Sequence, residues 1–115
     1  MQKTQHYIQG QWQSGNGEGI PVFDSITGEH FTSTTVEGLD VPSILQYGRD
    51  KGDVLRKMTF QQRGNMLKSL ALYLTKRKQA FYEISYRTGA TKRDSWVDIE
   101  GGFGNLFANA SLRKL

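Results

Sequence analysis

The stretch Gly38-Leu39-Asp40-Val41-Pro42-Ser43-Ile44-Leu45 is where the chain changes its periodicity. Before it, apolar residues alternate or run in short β-branched clusters. After it they recur about every 3.6 residues, the helical period. Asp40 reads as an N-cap, with Pro42 in the first turn, where its missing N–H leaves no bond unmade. Val41, Ile44, Leu45 and Gly48 then share one helical face.

Working back toward the N-terminus, residues 1–38 read as a β-hairpin region. Tyr7-Ile8-Gln9 and Gln11-Trp12-Gln13 flank Gly10. Ser14-Gly15-Asn16-Gly17-Glu18-Gly19 is a loop of residues that tolerate positive φ. Pro21–Ile26 and His30–Val36 are β-branched and aromatic, and Thr27-Gly28-Glu29 between them supplies a hairpin turn. A single hairpin leaves one face and two edges bare, so something else is expected to cover it.

Working forward, residues 39–115 read as about three antiparallel helices. The first weakens at Asp50-Lys51-Gly52-Asp53, and a short piece carrying Val54, Leu55 and Met58 follows. Thr59 with Gln62 forms a capping box ahead of the second. Leu67, Leu70, Ala71 and Leu74 make its apolar stripe, and Phe81, Ile84 and Thr88 resume it beyond Lys76-Arg77-Lys78. This is one long helix with a solvated middle, or two helices with a kink, ended by Gly89. In the last helix, from Thr91, the face is Trp96, Ile99, Phe103, Leu106, Phe107 and Ala110. Gly101, Gly102 and Gly104 sit inside it, each costing about 1 kcal/mol relative to alanine. Such a run fits a helix that another backbone approaches closely.

Composition narrows the function classes. With 37% hydrophobic residues the chain is too apolar for disorder, and thin for a self-sufficient globule of 115 residues. There is no cysteine, hence no disulfide, thiolate nucleophile or thiolate metal site. The start, Met1-Gln2-Lys3-Thr4-Gln5-His6, is no signal peptide, no stretch reaches membrane length, and a cytoplasmic location is expected. The net charge of +4 is uneven: residues 1–40 hold one basic side chain, Lys3, against five acids, and residues 41–115 hold fourteen against six.

Four constellations could carry chemistry. Gly101-Gly102-Phe103-Gly104 lacks the preceding strand and the spacing of a phosphate loop. His6 and His30 have no partner at triad-like spacing and are too few for zinc; surface roles are preferred. Asp94, Asp98 and Glu100 are the densest carboxylates. They are assigned to the helix dipole and to Lys or Arg partners rather than to an acid/base pair. Arg49, Lys51, Arg56, Lys57, Arg63, Lys68 and Lys76-Arg77-Lys78, interleaved with Tyr47, Tyr73 and Tyr82, could bind nucleic acid. Asp50, Asp53 and Glu83 interrupt that series, and no nucleic-acid motif accompanies it. An independent basic interaction module is therefore the second reading, and nucleic acid is not the expected partner.

Taken together, Tyr7-Ile8-Gln9-Gly10-Gln11-Trp12, Ile26-Thr27-Gly28-Glu29, Thr34–Asp40, Met58-Thr59-Phe60, Arg63 and Thr88-Gly89-Ala90-Thr91 resemble the start of the aldehyde dehydrogenase superfamily. Asp94–Gly102, Gly104, Leu106-Phe107 and Ala110-Ser111-Leu112 are similar to the ring-opening branch of bacterial phenylacetate degradation. In that branch an aldehyde dehydrogenase domain is joined to an enoyl-CoA-hydratase-like one. The resemblance implies an α/β parent fold, of which residues 1–115 are an N-terminal fragment. It implies NADP (or NAD) in the parent, oxidation of a CoA-linked semialdehyde after oxepin-CoA ring opening, and association with the rest of the domain and sister subunits. It also implies a cysteine nucleophile and a glutamate, both downstream of everything present here. No catalytic, cofactor-binding or metal residue carries over, and the chain alone is expected to be structural and without cofactor. A carboxylate that holds a structural monovalent cation in some members would fall at Asp98 or Glu100; helix-surface charge is preferred for both.

Overall fold

The computed structural model describes residues 3–115; Met1 and Gln2, part of the start read above, lie outside the described residues. The chain forms two compact units, one through Val54 and the other from Leu55.

The first unit contains two antiparallel hairpins and a helix. Strands β1 (His6–Ile8) and β2 (Gln11–Gln13) pair with Tyr7 opposite Trp12, whose rings meet edge to face at 5.1 Å. Gln9 and Gly10 both hold positive φ, 53° and 78°, which is the backbone of a two-residue turn matched to strand twist. The strand is thus one residue earlier than the pattern suggested, because Gln9 is spent on the turn. Strands β3 (Ile20–Phe23) and β4 (His30–Thr34) are shorter than the β-branched runs that announce them. Asp24 ends β3: its carboxylate accepts from the amides of Ile26 and Thr27, at 2.8 and 3.1 Å, and pulls the chain into the turn. A bulge between Val22 and Phe23 shifts the register before that turn.

The hairpins are stitched together rather than stacked. The Thr4 amide donates to the Ser33 carbonyl at 2.8 Å, Lys3 bridges Ser33 in parallel, and the His6 ring donates to the Thr35 carbonyl at 2.8 Å. Lys3 Nζ donates to the carbonyls of Gly15 and Gly17, at 3.0 and 2.8 Å, and so pins the glycine-rich loop. Gly15 has no room for a side chain: a Cβ would stand 2.4 Å from the Thr35 carbonyl oxygen. Helix α1 (Val41–Lys51) is capped by Asp40, which accepts from the Ser43 amide and hydroxyl; these bonds lower its carboxyl pKa. None of its residues is fully buried.

Helix α2 is the short piece Asp53–Lys57. The second unit is built on α3 (Phe60–Thr75), α4 (Lys78–Arg87) and α5 (Lys92–Ser111), with a 3-10 turn at Leu112–Lys114. Thr59 and Gln62 form the capping box of α3, both bonds present. The chain breaks at Lys76-Arg77, so there are two helices and not one. Arg77 closes the break by donating to the Tyr73 carbonyl and laying its guanidinium 3.5 Å over the Tyr73 ring. Gly89, at φ 87°, turns the chain back after α4. As residue number rises from Gly64 through Lys78 to Ser85, the α5-side partner falls from Arg113 through Glu100 to Ser95. Helices α3 and α4 therefore both run antiparallel to α5.

The buried apolar side chains among the described residues are Ala71 and Ala110, with Ser95 the buried polar one. The α3 stripe runs through Gly64, Leu67, Ala71 and Leu74, while Leu70 is left exposed. On α4 the inward residues are Tyr82, Ser85 and Tyr86, and the expected Phe81, Ile84 and Thr88 are exposed. On α5 Ser95 takes the inward place expected of Trp96, which is 57% exposed. Small residues won these positions because they let the helix axes approach closely. The expectation of close backbone packing at Gly101, Gly102 and Gly104 fails within this chain, since a Cβ on any of them meets nothing within 4 Å. The close approach is at Gly64 instead, where a Cβ would lie 2.7 Å from Arg113 Cβ.

Candidate functional site

The most differentiated surface of the second unit lies along the seam of α4 and α5. Thr91 starts α5 by accepting from the Asp94 amide at 3.1 Å. With Gly89 just before it, the chain reverses in a few residues and α5 returns beside α4. At the closed end of this hairpin the hydroxyls of Ser85 and Ser95 bond at 2.8 Å, which satisfies the buried Ser95. Further along, Phe81 and Phe103 meet edge to face at 5.8 Å.

Between these contacts two rows of side chains face one another. Lys78, Tyr82 and Tyr86 are spaced four apart on α4; Lys92, Trp96 and Glu100 are spaced four apart on α5. Glu100 joins the rows. One of its oxygens accepts from Lys78 Nζ at 2.8 Å and the other from the Tyr82 hydroxyl at 3.0 Å. The bond from Lys78, followed by the bond from Tyr82, holds the Glu100 pKa below the ordinary glutamate value. Desolvation and then the Glu100 hydrogen bond push Tyr82 above the ordinary tyrosine value. The Tyr82 and Tyr86 rings lie 6.0 Å apart. Beside them Trp96, Lys92 and Arg93 complete a shallow, largely apolar groove of about 390 Å³, which runs into a more polar depression of about 300 Å³ floored by Gln79 and Glu100.

The structure separates the three carboxylates singled out in the sequence. Glu100 meets a lysine and a tyrosine, whereas Asp94 and Asp98 line a different open depression with Val97, Gly101, Gly102 and Asn105. The two histidines serve the hairpins: His6 bonds the Thr35 carbonyl, and His30 bonds the Thr32 carbonyl and packs against Phe23 at 5.6 Å. Among the described residues no group of three or more His, Cys, Asp or Glu could hold a metal, and no helix is long and apolar enough to cross a membrane. Several of the basic residues are engaged locally. Arg77 covers Tyr73, Lys51 approaches Tyr47 at 5.8 Å, and Lys78 is held by Glu100. The sequence reading places Trp96 on the apolar face with Ile99 and Phe103 and does not group it with Lys92 and Arg93; the i, i+4 repeat of Lys92, Trp96 and Glu100 against Lys78, Tyr82 and Tyr86 is the signal that unites the two rows.

No protein-family model matches the chain. It is 34% identical over 114 residues to a 3,4-dehydroadipyl-CoA semialdehyde dehydrogenase of Aromatoleum evansii. That alignment takes in 97% of this chain and 22% of the relative, so the chain spans about a fifth of the relative's length. The resemblance read from the residues is thereby borne out: over nearly its whole length the chain is similar to part of a dehydrogenase of the aldehyde dehydrogenase family.

Proposed function

We propose that the chain is the strand-and-helix scaffold of an NADP-dependent aldehyde dehydrogenase of phenylacetate catabolism, cytoplasmic, whose assembled form oxidises a CoA-linked semialdehyde. In this reading the chain is structural. It has no cysteine from which a thioester-forming nucleophile could be drawn, so the redox chemistry falls to other parts of the assembled protein. Its partners are the remainder of the dehydrogenase domain and sister subunits.

The observation that carries the reading is the thin core of a chain similar to one fifth of a much longer enzyme. Two alanines are the fully buried apolar side chains among the described residues, while Ile84, Trp96 and Val97 each stand more than half exposed. Apolar area of that kind is what a segment presents when its stability comes from surfaces it shares.

The test is complementation. The chain is co-expressed with the part of the Aromatoleum evansii relative that lies outside the match. Co-elution, a melting transition sharper than that of the chain alone, and semialdehyde oxidation that needs both pieces are expected. A sharply melting monomer that ignores the second piece would overturn the scaffold reading.

A further inference from the structure

The glycine-rich loop between β2 and β3 sets an electrophile beside a nucleophile. Of the asparagines Asn16, Asn65, Asn105 and Asn109, Asn16 alone is followed by glycine. The backbone around it is tied down. Its amide donates to the Glu37 carbonyl at 2.8 Å, and its carbonyl accepts from the Thr35 hydroxyl at 2.9 Å. Lys3 Nζ brackets the same peptide through the carbonyls of Gly15 and Gly17. The carboxamide, in contrast, is not tied. It is exposed, rests against Gly38, where an added Cβ would collide with Nδ2, and makes no hydrogen bond among the described residues. The next nitrogen is open as well. The Gly17 N–H donates to no group among the described residues, and Gly17, at φ 74°, has no side chain to shield it. Asn16 Cγ and the Gly17 nitrogen therefore adjoin, both open to water.

We propose that Asn16-Gly17 is a self-modifying site, at which water converts the asparagine to isoaspartate and aspartate through a cyclic imide. The Gly17 nitrogen gives its proton to solvent and attacks Asn16 Cγ. The N–Cγ bond closes a succinimide ring as the Cγ–Nδ2 bond breaks and ammonia leaves. Water then opens the ring. Attack at Cγ leaves aspartate; attack at the backbone carbon leaves isoaspartate, whose chain runs through the former side chain. The sum is one water in and one ammonia out, with no oxidant or reductant. The loop favours the first step. The attacking amide is an anion whose charge spreads onto the Asn16 carbonyl oxygen, and the Thr35 hydroxyl already donates to that oxygen; a bond to the charged form favours it. The Lys3 ammonium, the one basic side chain of residues 1–40, adds its attraction from the flanking carbonyls. The product has a consequence. Glu37 Oε2 lies beside Gly17, 3.1 Å from where a Cβ would stand, so a new carboxylate at residue 16 meets a like charge. The other asparagines lie in α3 and α5, where the following nitrogen is spent on the helix ladder and shielded by a side chain. The site is independent of the scaffold role.

The experiment incubates the 115-residue chain in heavy-oxygen water at mildly alkaline pH, with and without urea, and maps its peptides by mass spectrometry with electron-transfer fragmentation. In native buffer Asn16 is expected to exchange its amide for a labelled carboxylate, isoaspartate in excess of aspartate, while Asn65, Asn105 and Asn109 stay amides. Asn16→Gln should abolish the product with unchanged circular dichroism. Thr35→Val should slow conversion several-fold, and Thr35→Ser, which keeps the hydroxyl, should restore it. The wild-type comparison stands even if Thr35→Val disturbs the hairpins. An Asn16 that converts in urea and stays an amide in native buffer overturns the proposal, because the folded loop then protects it. So does conversion spread evenly over the asparagines, or a well-folded Thr35→Val variant that converts as fast as wild type.

Discussion

One methyl group, added at two different glycines, tests the helix packing directly. Gly64 on α3 and Gly101 on α5 both lie inside helices, so replacing either by alanine gains about 1 kcal/mol of intrinsic helix stability. Their surroundings differ. At Gly64 the new Cβ would stand 2.7 Å from Arg113 Cβ, 3.0 Å from Arg113 Cδ and 3.1 Å from the Ala110 carbonyl oxygen. The first of these is anchored next to the backbone and cannot swing away, so the 3-10 turn or α3 must shift. Overpacking of this kind costs about 1–3 kcal/mol. Gly64→Ala is therefore expected to fall between neutral and about 2 kcal/mol destabilised. At Gly101 nothing lies within 4 Å, and Gly101→Ala should simply gain its helix term. Since that term is common to both, the difference between the variants isolates the packing cost. For a unit of this size 1 kcal/mol shifts the melting temperature by about 4–8 °C, so thermal melts of the 115-residue chain should place Gly101→Ala above Gly64→Ala by at least about 4 °C. Equal shifts in the same direction would refute the close approach of α3 to the end of α5.

Three further perturbations follow from the same contacts. Glu100→Gln should remove a pH dependence: a depressed carboxyl pKa adds stability that is complete above the ordinary value of 4.5 and fades as pH falls through the lower folded-state value, so the wild-type and variant melting curves should converge in acid. If they keep a constant separation down to acid pH, the Lys78–Glu100–Tyr82 cluster does not stabilise the seam in this way. Thr59→Ala breaks the capping box of α3 and should cost about 1 kcal/mol in urea denaturation, whereas Gln11→Ala, on the exposed face of a two-stranded hairpin, should stay within about 0.5 kcal/mol. Gln9→Asn places a residue more tolerant of positive φ in the first turn; the ring-current shifts of the Tyr7–Trp12 pair should grow as the hairpin becomes better populated, and unchanged shifts would argue against the turn geometry.

Local chemistry was the legible part of this fold. Asp40 with Ser43, Thr59 with Gln62, and Gly89 are short-range devices whose bonds form between near neighbours, so reading them needs no knowledge of what lies across the chain. The faces of α4 and α5 were less legible for a physical reason. Ile84 and Trp96 satisfy a helical apolar period, yet the seam between those helices is narrow and selects Ser85 and Ser95. Hydrophobic periodicity reports that a residue is suited to burial and is silent on which neighbour buries it. Gly64 sits three, seven and ten residues before Leu67, Ala71 and Leu74 on the same stripe, but a glycine adds no apolar signal to a hydrophobic period. The groove around Trp96 is hidden for a related reason: the apolar face groups Trp96 with Ile99 and Phe103, whereas the groove follows the four-residue spacing of Lys92, Trp96 and Glu100 set against that of Lys78, Tyr82 and Tyr86.

The stitch between the hairpins has a kinetic consequence. Each hairpin closes over a handful of residues and can zip in microseconds. The bond from the Thr4 amide to the Ser33 carbonyl, and that from His6 to Thr35 with a sequence separation of 29, must instead gather a long loop, at an extra entropic cost of about 1–2 kcal/mol over a five-residue closure. Those bonds are therefore the last of the first unit to form and the first to open. The exchange rate of the single Thr4 amide proton, timed against those of β3 and β4, becomes a clock for the separation of the two hairpins.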